Sequence, residues 1–191
     1  MIVTYQGAGA FKISQGDLTL ALNPQAKISA DVTLFTTDKS PAYAEASAGK
    51  AGFVIDGPGE YEIKDIFIKG FLSEGIEKKV NTIYLITFEG MKLCFLGTLA
   101  NPALSVETLE AIEDIDILFT PIGQGTLDPA SAYKLAVSLE PSVIIPMYYT
   151  KEVLAQFTKE GGAKVEPLDK FVVKKKDLEG KEAEIVVLRE E

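Results

Sequence analysis

VIIPMYYT, residues Val143 to Thr150, is a short β-branched run that closes in Pro146-Met147 and opens directly into two tyrosines. Its length and composition are those of a buried strand. Outward from it, the chain alternates strands and helices. Upstream lies DPASAYKLAVSLEP, where Asp128 is a fitting helix N-cap and Pro129 suits the first helical position. Ala132, Leu135, Ala136 and Leu139 form its buried stripe. Before that come a strand, DILFTPIG, and a helix in SVETLEAIEDI, with Ser105 as N-cap and an apolar stripe of Val106, Leu109 and Ile112. Downstream, a third helix runs from about Lys151 to Glu160 and stops at Gly161-Gly162.

The first half is richer in strands. MIVTY, AFKI, LTLAL, VTLF, FVI and EIKDIFIKG each have strand length and β-forming composition, with Gly, Asn, Asp and Pro marking the turns between them. NTIYLITF and MKLCFLG, joined at Glu89-Gly90, read as a hairpin apolar on both faces and therefore sandwiched between layers. Residues 41–52 read as a loop. KFVVKK and AEIVVL close the chain as a terminal hairpin. No linker interrupts the pattern, so residues 1–191 are expected to form one domain with sheets inside and helices outside.

Composition excludes several roles. Acidic residues outnumber basic ones 28 to 19, a net charge of −9 that disfavours a nucleic-acid partner. The basic run Lys174-Lys175-Lys176 reads as a solvated strand end. Cys94 is the only cysteine, so neither an internal disulfide nor a cysteine-rich zinc cluster is possible. Its apolar setting in KLCFL points to a buried, unreactive thiol. No run reaches membrane-span length and the N-terminus lacks signal-peptide character, which points to a cytoplasmic protein.

In order and spacing, MIVTYQGAGAFKI, LTLALNP, VIDGPGEYEI, NTIYLI, KLCFLG, ILFTPIG, VIIPM and PLDKFVVKKKDL…AEIVVL resemble the metallo-β-lactamase-fold superfamily. The nearest branch is the one similar to ascorbate-6-phosphate lactonase-like hydrolases. The resemblance covers essentially the whole chain and implies an α/β fold, a four-layer αββα sandwich with its site in a cleft at one edge of the paired sheets. In such hydrolases a Thr-His-x-His-x-Asp-His loop and three further ligands hold two metals, which generate a hydroxide nucleophile and polarise the substrate.

Position by position, the ligands are missing here. Thr37 and Lys39 fall at the first two histidines, Pro41 at the aspartate and Ala42 at the last histidine of that loop. The next histidine falls at Ser73-Glu74, the bridging aspartate at Thr98 and the final histidine at Tyr148. The relatives' Gly-His pair near the N-terminus reads Gly7-Ala8. The chain contains no histidine. Zinc sites need imidazole, thiolate or carboxylate donors, so no zinc is expected. Asp38, Glu74 and Asp31 are the oxygen donors left for a hard cation, and Lys39, Ser40, Tyr148 and Thr98 the groups left for metal-free chemistry; solvated or structural roles suit both sets better. Asp56, Gly57, Pro58 and Gly59 in DGPGEY read as a structural turn, as do Gly123 and Gly125 in PIGQGTLDP.

Two roles are expected to compete for such a silent relative. One is an interaction or assembly subunit, as a homo-oligomer or with a protein partner. The other is a small-molecule binder that does not turn its ligand over. The alternative is a hydrolase of the same fold, acting on a lactone or phosphoester through a non-histidine or metal-free site.

Overall fold

The computed structural model describes residues 1–26, 28–38, 52–162 and 165–191. Among these residues, thirteen strands divide into two sheets. The strands are β1 (Ile2–Tyr5), β2 (Phe11–Gln15), β3 (Leu18–Leu22), β4 (Val32–Leu34), β5 (Phe53–Ile55), β6 (Gly59–Ile63), β7 (Ile66–Glu74), β8 (Val80–Phe88), β9 (Met91–Phe95), β10 (Ile117–Pro121), β11 (Val143–Met147), β12 (Phe171–Val172) and β13 (Glu184–Ile185). One sheet has the order β12-β1-β2-β3-β4-β5 and the other β13-β11-β10-β9-β8-β7-β6. The sheets stack through an apolar layer that includes Phe11, Leu20, Leu34, Ile68, Phe95, Phe119 and Ile145. Phe11 crosses the interlayer to meet Phe119 edge-on at 4.8 Å between ring centroids, a favoured aromatic geometry.

Among the described residues, three α-helices, α1 (Val106–Ala111), α2 (Pro129–Ser138) and α3 (Lys151–Glu160), build a second core with the other face of the seven-stranded sheet. VIIPM is buried at all five positions because β11 lies between these two cores. The same sandwiching explains why β8 and β9 carry few polar residues. The Asp128 carboxylate accepts from the N–H groups of Ala130 and Ser131, and Ser105 Oγ from that of Thr108, so both expected caps form. Among the described residues, no helix is long and apolar enough to cross a membrane.

Four local expectations differ from the structure. EIKDIFIKG is not one strand: Lys64 and Asp65 both adopt left-handed backbone (φ 51° and 61°), which turns β6 back on β7 as a tight hairpin. KFVVKK and AEIVVL do not pair with each other, since β12 joins β1 in one sheet and β13 joins β11 in the other. On α1 the buried residue is Thr108, whereas Val106 and Leu109 are 71% and 47% exposed; a helix of under two turns cannot bury a full stripe. Finally, Lys175 is not simply solvated. It donates to the buried Asp116 carboxylate at 2.6 Å, which also accepts the Lys92 N–H at 2.8 Å.

Candidate functional site

One end of the sandwich gathers the loops that follow β1, β3, β4, β5, β9, β10 and β11, together with the β7–β8 connection, because parallel pairing in both sheets sends successive strand ends to the same side. Tyr148, Ser73, Thr98, Thr37 and Asp38 all lie there. So do the loops containing Asp56–Gly59 and Gly123–Gly125. Lys39, Ser40, Pro41 and Ala42 lie outside the described residues.

Tyr148 follows β11 in left-handed backbone (φ 58°) and sends its ring into the interlayer. It packs over Gly9, so closely that a Cβ on Gly9 would sit 2.2 Å from the phenol Cζ. Its hydroxyl bonds the Asn23 side chain, while burial pushes the phenol up to about 12. Asn23 in turn is locked to Thr36: the amide Nδ2 donates to Thr36 Oγ1 and the Thr36 N–H donates to Asn23 Oδ1, both at 2.9 Å. A phenol and a carboxamide thus fill the corner between β3, β4 and β11. Beside them Tyr149 donates to the Leu188 carbonyl at 2.8 Å, and burial raises its pKa as well.

A second cluster centres on Asn81 at the head of β8. Its amide donates to Ser73 Oγ at 2.8 Å and to the Leu96 carbonyl at 3.0 Å. Its Oδ1 accepts from the Thr98 N–H at 2.8 Å and from the Thr98 hydroxyl at 3.1 Å. The two clusters meet at Gly97, where a Cβ would lie 2.4 Å from Asn81 Oδ1 and 2.6 Å from Thr36 Cβ. Only glycine fits there, and its φ of +63° suits glycine too. Between the sheets, the Thr82 N–H donates to the Thr36 carbonyl at 2.8 Å and the Tyr84 hydroxyl to the Phe35 carbonyl at 2.9 Å.

These groups are all uncharged: two carboxamides, several hydroxyls and a phenol. They are also already bonded to one another, with Asn81 using both amide protons and its oxygen. Among the described residues, no three His, Cys, Asp or Glu side chains come together as a metal-holding group. The donor set therefore does not fit zinc, which takes imidazole, thiolate and carboxylate. Of the acids considered for a hard cation, Asp31 is at the far end of the molecule, bonded to Lys64 and the Thr19 N–H. Glu74 is exposed at the end of β7, and Asp38 is exposed at the cleft mouth.

Next to the neutral clusters the site stays open. A cleft of about 800 Å³ lies between Thr36, Thr37, Asp38 and Asp56–Pro58 on one side and Ile76–Val80, Thr82 and Thr98 on the other. Tyr148 does not line it. Six of the twelve non-glycine residues with positive φ among the described residues lie at this end: Ala8, Asn23, Glu77, Lys78, Gln124 and Tyr148. Asn23, Thr36, Asn81 and Gly97 are site residues that the sequence reading missed. Asn23 had a signal, standing in LTLALNP where the resembling strand ends at Asp-Pro.

A profile of the beta-lactamase superfamily domain matches residues 2–148. A Thermotoga maritima structure assigned to the zinc-dependent hydrolases of the metallo-β-lactamase superfamily is 28% identical, with 98% of this chain and 97% of that one covered and a TM-score of 0.80. Igni18, a metallo hydrolase from Ignicoccus hospitalis, superposes over 91% of this chain and 99% of its own at 18% identity and a TM-score of 0.65. The metallo-β-lactamase-fold protein YhfI of Bacillus subtilis does so over 99% and 97%, at 9% identity and a TM-score of 0.64. These two likenesses speak to the fold alone. No protein of curated function matches the sequence.

Proposed function

The chain belongs to the beta-lactamase superfamily, and on that premise we propose that it is a catalytically silent member, a protein that binds a small molecule without hydrolysing it. One observation carries the reading: Tyr148, Thr98 and Ser73, which the resemblance sets at ligand positions, sit in neutral, mutually bonded clusters with Asn23, Thr36 and Asn81, while a cleft remains open beside them. A metal hydroxide needs ligands that these groups cannot supply. Metal-free hydrolysis needs an activated nucleophile. Burial of Tyr148 works against that by holding its phenol protonated, and Thr98 directs its hydroxyl at Asn81.

The assembly role has less support. Exposed large apolar residues fall on several elements: Ile2 and Val172 on the paired β1 and β12, Phe53 on β5, Phe67 and Leu72 on β7, Val80 on β8, and Val106 and Leu109 on α1.

The test combines elemental analysis of protein purified without chelator, a lactone and phosphodiester hydrolysis panel, and a thermal-shift screen of small metabolites, with mass read on a sizing column. Sub-stoichiometric metal, no turnover and a ligand-dependent rise in melting temperature are expected. Stoichiometric zinc or manganese, or turnover, overturns the silent reading. A larger assembly with no stabilising ligand favours the interaction subunit.

A further inference from the structure

One wall of the cleft carries Asp38 and Asp56 and the other Lys78 and Lys79 with Glu77, and that uneven charge suggests a ligand class. Asp38 and Asp56 follow β4 and β5 on the six-stranded side. Lys78 and Lys79 face them from the β7–β8 connection. Lys79 is paired with Glu77 at 3.0 Å. Lys78 has no ion pair among the described residues and is the ammonium left to meet a ligand. Its position is set by the backbone: Glu77 and Lys78 are consecutive left-handed residues (φ 55° and 60°). The loop is cross-tied by Gly75 N–H to the Lys79 carbonyl at 2.8 Å and Lys79 N–H to the Ile76 carbonyl at 3.1 Å. The same loop also packs Ile76 against Gly125 and bridges Gly75 to Leu99, so Lys78 is held on a tied-down segment.

The rest of the cleft is mixed. Thr36, Thr82 and Thr98 bring hydroxyl groups, and Ile76, Val80 and Pro58 bring apolar surface. The volume of about 800 Å³ lies within the usual range for small-molecule sites. A simple anion meets three carboxylates, Asp38, Asp56 and Glu77, and the field of a −9 chain. A simple cation meets the lysines. A dipolar ligand satisfies both walls. Resting on the binding reading above, we propose that the cleft takes a short zwitterionic peptide, its ammonium toward Asp38, its carboxylate toward Lys78, and small side chains against Ile76 and Val80.

The experiment is calorimetric titration of the full chain with trialanine, N-acetyl-trialanine amide and inorganic phosphate, repeated with Lys78→Glu and Val80→Asp. Lys78 and Val80 are both exposed, so neither change should disturb folding, and a matched melting temperature checks this. Trialanine is expected to bind, with the capped peptide and phosphate much weaker. Lys78→Glu should weaken it about fivefold or more, because it turns an attraction into a repulsion. Added salt should weaken it as well, since the charges are solvent-facing. Val80→Asp should abolish it. Equal binding of capped and free peptide, indifference to Lys78→Glu, or no binding of trialanine overturns the proposal. Capped peptide or phosphate binding that Val80→Asp removes would do so while leaving the binding reading intact. That reading falls separately, when the metabolite screen also yields no ligand.

Discussion

The two halves of the site have gone different ways. Around Tyr148 the corner is sealed: the phenol lies over Gly9, bonds Asn23 and joins the core between the sheets. Around Thr98 and Thr82 the corresponding edge is open, charged at its rim and bounded by strained backbone. The sealed half behaves as core, where space is filled and the polar groups of the Tyr148 corner are bonded. The open half keeps features that core packing does not require. Substitutions in the sealed half should therefore act on stability, and those at the rim on binding.

The harshest test of sealing is Gly9→Ala. The new methyl would overlap the Tyr148 ring, 2.2 Å from Cζ, at a φ of +72°. Left-handed strain and overpacking together should cost about 3 kcal/mol, read as a fall in urea midpoint. Gly16→Ala is the control, since it has the same handedness (φ +57°) but nothing within 4 Å of the added Cβ; it should lose about 1 kcal/mol. Equal losses at the two sites would mean that Tyr148 is not tightly seated.

Asn81→Ala comes next. It strips partners from Ser73, the Leu96 carbonyl and the Thr98 N–H. Three buried groups left bare deep in a core would cost more, but Thr98 borders the cleft and water can replace part of what is lost. About 2 kcal/mol is expected by denaturant titration. A loss as large as that of Gly9→Ala would show this cluster to be as closed as the Tyr148 corner.

Tyr148→Phe removes only the hydroxyl and should cost about 1 kcal/mol, the usual net worth of one hydrogen bond. Its pH signature is more telling. The phenol's pKa is raised from 10.0 to about 12 by burial. Below pH 10 it is protonated in both folded and unfolded states and its contribution is complete. Between pH 10 and 12 the unfolded chain releases this proton while the folded chain holds it, so stability falls as pH rises. Tyr5, Tyr84 and Tyr149 are raised for the same reason, burial, and share in the decline. Tyr148→Phe should flatten the alkaline limb of the urea-midpoint profile without abolishing it; an unchanged slope would place the phenol in contact with solvent.

Much of this was legible in the sequence, and for identifiable reasons. Helix caps are local, so Asp128 and Ser105 could be read directly. The absence of histidine was a matter of composition. The sealing network was not legible, because Asn23 meets Thr36 thirteen residues away, and Asn81 meets Thr98 seventeen away, only after β-strands have paired and the sheets have stacked. The hairpin at Lys64-Asp65 was missed for a related reason: neither residue is glycine or asparagine, yet both take the left-handed conformation.

Lys78→Gly should have the smallest effect and separates strain from charge at the open rim. Glycine accepts a φ of 60° without penalty, which relieves the left-handed cost. The same change gives the unfolded chain more freedom, which offsets most of the relief. The net gain should be about 0.5 kcal/mol at most, with the loop still cross-tied from Gly75 to Lys79. Binding should respond in the opposite direction, because the ammonium is gone. A variant that is slightly more stable but binds peptide more weakly would show that strain at Lys78 is retained to place a charge. Equal loss of stability and binding would instead make the β7–β8 loop another part of the packed core, and the contrast between the two halves would disappear.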